Sequence, residues 1–318
     1  MTSLRHQSRL LIVVSAVVIY SISATCAHAL ASTSRVRDTP VFTRANVKAL
    51  SSLSSASVAV NDSNWAGYIV ASDSQNPQSI VTNVSASWIV PTVVPSTTTD
   101  SYSAIWIGIG GFFDLDTTLI QTGTEQDSIG GQPFYSAWYE LLPQVSITIG
   151  PVSPGDQIYA SIQLVNASTN TWQIYMQDQT SNQTFQSNFN YADSRLSAEW
   201  IVERPVIESG RTPRLSALTN IGRVALNSCL ATVGTQTGGI NAFPSFQSVM
   251  YATLLSTAGM TQLTDVSSLS VDGLSFTVET NPSVVPELSG WNIMLMIAGT
   301  SLLIAASKKR LLRRLNVR

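Results

Sequence analysis

Between residues 61 and 280 the chain has no histidine, no lysine and a single cysteine, Cys229; His6, His28, Cys26, Lys48, Lys308 and Lys309 all stand nearer the ends. That scarcity excludes much chemistry. Ser-His-Asp and Cys-His nucleophile systems, Ser-Lys dyads, Schiff-base lysines and His-ligated zinc each lack a required member. Charge is scarce as well, at 11% of residues against 44% hydrophobic, the composition of a folded rather than a disordered chain. The formal net charge of −2 hides an uneven distribution: residues 1–60 and 281–318 each carry +5, and residues 61–280 carry −12. So few cations cannot neutralise phosphates in number, so no nucleic-acid partner is expected. An enzyme of this composition works with carboxylates, amides and hydroxyls.

Long apolar runs are confined to the ends. Arg5 and Arg9 precede the run Leu10 to Ile22, and Ala27-His28-Ala29 has the small-x-small pattern of a signal-peptidase site. Residues 1–29 are therefore expected to be a signal peptide, removed after Ala29. At the other end, Val285-Pro286-Glu287-Leu288 leads into an apolar stretch from Trp291 to Ser307, followed by Lys308, Lys309, Arg310, Arg313, Arg314 and Arg318. That stretch is just long enough to span a bilayer, with its basic end held on the cytoplasmic side. The tail, residues 281–318, resembles the PEP-CTERM sorting signal of Gram-negative bacteria, with Leu288 where a second proline is usual. The resemblance implies export to the cell surface or medium, transient anchoring in the inner membrane and cleavage by an exosortase-type enzyme. Residues 30–60, rich in Ser, Ala and Thr and bearing Arg35, Arg37, Arg44 and Lys48, show no sustained period. They read as a linker, or as a basic pro-segment lying over an acidic cleft.

From residue 61 onward the period is two. Ile80 to Val90, Ile158 to Leu164, Trp172 to Gln177 and Leu274 to Val278 alternate apolar and polar side chains, as half-buried strands require. Further strand-like runs are 64–70, 103–109, 117–123, 134–142, 145–149, 182–188, 197–203, 223–228 and 246–254, separated by turns such as Pro151-Val152-Ser153-Pro154-Gly155-Asp156. No window supports an amphipathic helix beyond about two turns. The pattern predicts one all-β domain over 61–280, a sandwich or barrel.

Several familiar motifs fail. Gly108-Ile109-Gly110-Gly111 has no βαβ surroundings and serves a turn or a flat sheet face. The two Asp-Thr/Ser-Gly loops of an aspartic protease are missing. Asp114-Leu115-Asp116 has incomplete calcium-loop spacing and reads as a solvated turn. Cys229 reads as a small buried apolar residue.

What remains is a series of aromatic- and amide-bearing strands: Asn64-Trp65-Ala66-Gly67-Tyr68, Trp106-Ile107-Gly108-Ile109-Gly110-Gly111, Leu119-Ile120-Gln121-Thr122-Gly123, Ala137-Trp138-Tyr139-Glu140 and Ser197-Ala198-Glu199-Trp200-Ile201-Val202-Glu203. In this order and spacing they resemble the glutamic peptidases, the eqolisin or G1 family, formerly the A4 peptidases, over about residues 62–280. The resemblance implies a concanavalin- or jelly-roll-like sandwich of two antiparallel sheets of about seven strands each. It implies a metal-free, cofactor-free, monomeric acid endopeptidase acting on polypeptides. The family's catalytic Gln falls on Gln121 and its catalytic Glu on Glu203; Glu140 matches a cleft carboxylate, and Trp65, Trp106 and Trp138 are expected to line the substrate cleft. Two positions depart from the pattern: Gly110 stands where many members have Asp, and Leu141 replaces an aromatic.

The chemistry agrees with the elimination above. One carboxylate can take a proton from attacking water and return it to the leaving amine, and a neutral amide NH2 can donate to the developing oxyanion. Alternation puts Glu199 and Glu203 on the same face, about 13 Å apart at about 3.3 Å per residue, and does not choose between them. The rival reading from another class is a lectin-like, exopolysaccharide-binding sandwich.

Overall fold

The computed structural model describes residues 39–41 and 58–281, apart from 74, 114, 210–211, 244–245 and 256–260. The expected signal peptide, and the sorting signal apart from its first residue Asn281, lie outside these residues. Every regular element among the described residues is a strand. None of them is a helix long and apolar enough to cross a membrane.

The strands form two large sheets of eight and eleven strands, with a small third of three, so the all-β sandwich stands with more strands than the seven-and-seven expectation. The excess is short pieces such as Ser101–Tyr102, Ala217–Leu218 and Thr261–Gln262, too brief to leave a period in the sequence. Down the eight-stranded sheet run Gln183–Asn190, Thr171–Asp178, Gln157–Asn166, Val81–Ile89, Arg223–Val233, Phe276–Thr280 and Thr264–Val266. The eleven-stranded sheet places Leu119–Ile129, Ala104–Gly110, Ser197–Glu203, Trp65–Ser72 and Phe246–Leu255 side by side, with Gln132–Leu141 on the outside of Leu119–Ile129. Large strands pair antiparallel; Val58–Asp62 on Phe246–Leu255 and Ala217–Leu218 on Ser101–Tyr102 pair parallel. The 30–60 stretch contributes Thr39–Val41, which pairs with Val206–Glu208 just beyond Glu203.

The core lies between the sheets. Trp88, Ile158, Ile162, Trp172, Ile174 and Leu226 from the eight-stranded sheet meet Tyr68, Ile105, Ile107, Ile120, Trp200 and Val202 from the other. Two indoles fix the sheets' relative placement: Trp88 Nε1 donates to Thr124 Oγ1 at 3.0 Å, and Trp200 Nε1 to the Ser85 carbonyl at 2.9 Å. Buried donors need such partners. Cys229 is buried in this core, and burial pushes its thiol pKa up, in keeping with a packing role.

Candidate active site

The eleven-stranded sheet buries its second face too. Trp65–Ser72, Ala104–Gly110 and Ser197–Glu203 are buried at every residue. Alternation sends Trp200 and Val202 to the sandwich core and Glu199, Ile201 and Glu203 to the opposite face. Register then assembles three rows across that face. Glu199, Gly108, Gln121 and Glu140 form one; Ile201, Trp106, Gly123 and Trp138 the next; Glu203, Ala104, Glu125 and Ser136 the third. All six residues singled out from the sequence lie on this face, since Trp65 pairs with Glu203.

The middle row holds the site together. Gly123 has no room for a side chain, because an added Cβ would stand 2.6 Å from Trp106 Cβ and 2.2 Å from the Ile105 carbonyl. Gly108 lies beneath the indole itself, with an added Cβ only 2.8 Å from its Cζ3. Two glycines thus let Trp106 lie flat along the sheet. Its Nε1 donates to Glu203 Oε2 at 2.8 Å, and Trp65 packs edge-on against it with ring centroids 5.1 Å apart. Trp65, Trp106 and Trp138 join Ile69, Phe112, Leu119 and Ile201 in a second apolar cluster separate from the sandwich core.

Glu203 is wholly buried. Asn64 Nδ2 donates to its Oε1 at 3.0 Å. Asp62 sets this donor in place: its Oδ1 accepts from the backbone N–H groups of Asn64 and Trp65 at 2.8 and 2.9 Å. Burial pushes the Glu203 carboxyl well above the ordinary glutamate range; the Trp106, Trp65 and Asn64 donors oppose that shift, and the charge of Glu140 adds to it. Gln121 and Glu140, side by side in their row, are also buried, and Gln121 Nε2 donates to Glu140 Oε2 at 2.7 Å. That bond fixes which end of the amide faces which way.

The structure therefore brings Gln121 to Glu140 and Glu203 to Trp106, and links the two pairs through the field of Glu140. By register alone Gln121 shares its row with Glu199, and Glu203 lies four residues further along the strand. The tryptophans expected to line a cleft are at most 2% exposed, because they pack into the second apolar cluster on this face. Asn64 had no role assigned from the sequence; its position next to Trp65 in the first motif is the signal for it. Among the described residues no three His, Cys, Asp or Glu side chains converge as metal ligands.

A family model described as the peptidase A4 family matches residues 63–273, which hold the sandwich and its buried amide–carboxylate face. The chain belongs to that family. It is 29% identical to scytalidopepsin B of Scytalidium lignicola over 156 residues, 46% of this chain and 54% of that protein, and so spans about half the length of this relative. The crystal structure of scytalido-glutamic peptidase with a peptide-based transition state analog matches with a TM-score of 0.55 at 22% identity, covering 69% of this chain and 98% of the other. SCP-B, a member of the eqolisin family, in complex with the tripeptide Ala-Ile-His matches with a TM-score of 0.54 at 22% identity and the same coverage. These likenesses show the shared fold.

Proposed function

We propose that the chain is an exported glutamic endopeptidase in which Glu203 is the general base and acid and Gln121 the oxyanion donor. The observation that carries this reading is Glu203 itself: a carboxyl buried on the site face, held by neutral N–H donors and raised in proton affinity. Such a group takes a proton from attacking water more readily than a solvated glutamate and returns it to the leaving amine. The neutral donors orient it without neutralising it. An amide NH2 carries two hydrogens. The bond to Glu140 orients the side chain, and the reading assigns the amide NH2 to the oxyanion of the tetrahedral intermediate. Glu140 is then an orienting group, and its charge adds to the rise in the proton affinity of Glu203. Work in acid is supported by the −12 charge of residues 61–280, whose self-repulsion fades as carboxylates protonate.

Hydrolysis requires that a buried site open. The basic stretch 30–60 is assigned as a removable pro-segment, a role supported by the pairing of Thr39–Val41 with the strand that directly follows Glu203. Opening would restore water to Glu203 and draw its pKa back toward the ordinary range, because burial is the main cause of the rise. Export, anchoring and removal of the tail rest on the sequence of the two ends; N-terminal sequencing and mass measurement of the secreted protein test them, and fully active material beginning at Leu30 would overturn the pro-segment role.

The test of the catalytic assignment is hydrolysis of casein or peptides over about pH 2–6 with pepstatin and EDTA present, for wild type, Gln121→Ala and Glu203→Ala. Loss of activity in both variants is expected. Full activity in Glu203→Ala would overturn the assignment, and an inactive wild type that binds polysaccharide would favour the lectin-like reading.

A further inference from the structure

A second acidic cluster lies at the end of the strand pair that carries Gln121. Ala104–Gly110 turns into Leu119–Ile129 through a loop in which Gly110 and Gly111 take φ of +85° and +76°, the region that favours glycine. Asp116 organises this loop by accepting four hydrogen bonds: from Gly111 N at 3.0 Å, Thr118 N at 3.0 Å, Thr118 Oγ1 at 2.6 Å and Ser194 Oγ. Opposite it stands Asp193. A Cβ at position 110 would lie 2.8 Å from Asp193 Oδ2 and 3.2 Å from Oδ1, so this carboxyl fills the space that a side chain at Gly110 would need. Its Oδ1 accepts from Arg195 N at 2.6 Å, whereas Oδ2 is buried without a hydrogen-bond partner at ordinary distance.

The segment bearing Asp193 is bonded to both strands of the Gln121–Glu140 pair. The Tyr191 hydroxyl accepts from Leu119 N and donates to the Leu142 carbonyl, each at 2.8 Å. Leu119 lies two residues before Gln121, and Leu142 two residues after Glu140. Ser194 N donates to Thr118 Oγ1 at 2.9 Å, and Arg195 Nε to the Val81 carbonyl of the other sheet at 3.1 Å. A shift of segment 191–195 would therefore move both members of the pair, and small misplacements of catalytic groups are costly.

We propose that Asp193 is a positioning residue for the Gln121–Glu140 pair, and that its carboxyl, seated in the space over Gly110, locks segment 191–195 onto the ends of the two strands that carry them. This rests on the reading of Gln121 as the oxyanion donor. The charged groups acting on Asp193 are Asp116 from the loop and Arg195 from its own segment; Tyr191, on the same segment, is influenced by both aspartates and by Glu140. The charge of Asp116 opposes ionisation of Asp193. Burial first, and then the charge of Asp116, raises the Asp193 pKa well above the ordinary aspartate range, against the backbone N–H groups of Arg195 and Ile120. The lock is thus closed in acid and loosens as Asp193 ionises beside Asp116.

The experiment compares wild type, Asp193→Asn and Asp193→Ala in peptide hydrolysis and in thermal melting, both from about pH 3 to 8. Asp193→Ala is expected to lower kcat about tenfold with little change in KM, since it removes the lock but no substrate contact. Asp193→Asn, a permanent mimic of the protonated form, is expected to restore kcat and to move the alkaline limb of its pH profile upward by about one unit. In melting, Asp193→Asn is expected to match wild type in acid and exceed it increasingly as the pH rises. Parallel melting curves, or an unmoved alkaline limb, would overturn the proposal. Failure of the catalytic reading would show separately, as full activity in Glu203→Gln, and leaves the melting arm decisive for Asp193.

Discussion

The two large sheets are built from the same kind of strand and treat their outward faces in opposite ways. In Thr171–Asp178 Trp172, Ile174 and Met176 are buried, while Gln173, Tyr175 and Gln177 between them remain half-buried at the surface. In Ser197–Glu203 every residue is buried, although Glu199 and Glu203 stand at the same alternate positions. One sheet wets its outer polar side chains. The other takes them out of water and surrounds them with tryptophans and neutral donors. An outward polar residue on the first sheet is ordinary solvation; on the second it is a buried carboxyl whose desolvation costs stability unless function or partners offset it. The position of a residue in the strand period thus says which face it occupies, and the cover over that face decides whether it can do chemistry.

Substitutions can break this contrast, beginning with the largest effect. Glu203→Gln should lower kcat about 10³- to 10⁴-fold, the upper part of the usual range for a general acid–base group. It should also raise thermal stability at neutral pH. Because the folded-state pKa of Glu203 is raised, its contribution favours the fold below the ordinary glutamate pKa and is lost as the pH rises through the raised value. The amide of Asn64 can turn to accept from the new Gln. Melting across pH 4 to 8 checks the sign, and a destabilised variant at neutral pH would contradict it. Gln121→Ala should cost about 10²- to 10³-fold in kcat, the range for loss of an oxyanion donor, with KM nearly unchanged in steady-state assays.

Ile174→Ala, in the sandwich core, should destabilise by about 2–5 kcal/mol in denaturant unfolding. It should leave the pH profile of the remaining folded enzyme in place, because Ile174 belongs to the sandwich core and not to the site face. Trp106→Phe should do the reverse: the apolar body is kept, one donor to Glu203 is lost, and the acid limb of kcat/KM moves to higher pH since that donor favours the ionised form. At the small end, Gln173→Ala on the outer face of the eight-stranded sheet should change stability by no more than about 0.5 kcal/mol and activity not at all.

Much of this was legible in the sequence, and the remainder was hidden for identifiable reasons. Strands such as Ile158 to Leu164 and Trp172 to Gln177 announce themselves because one face is wet, which imposes a period of two. The site strands were found by their ordered motifs. Their burial on both faces was not readable, because Glu199 and Glu203 look like the polar half of an ordinary alternation. Register was hidden as well: that Gln121 shares a row with Gly108 and Glu199 depends on pairings among three strands, and no single segment encodes it. The tryptophans were expected at a cleft surface, whereas Trp106 lies flat over Gly108 and beside Gly123, a placement visible only once neighbouring strands are side by side. Thr39–Val41 and Val58–Asp62 lay in a stretch without periodicity because strands of three and five residues carry too few alternations. Asp193 offered no signal, since its contact with the space over Gly110 is made between two loops about eighty residues apart.

The most direct test of the site is to titrate Glu203 itself. The infrared difference between wild type and Glu203→Gln isolates its carboxyl band, and the pH at which that band disappears can be set beside the acid limb of kcat/KM measured on the same preparation. The two midpoints are expected to coincide. A Glu203 band whose midpoint departs from the acid limb, or an acid limb that persists unchanged when Glu203 is replaced, would contradict its assignment as the catalytic base.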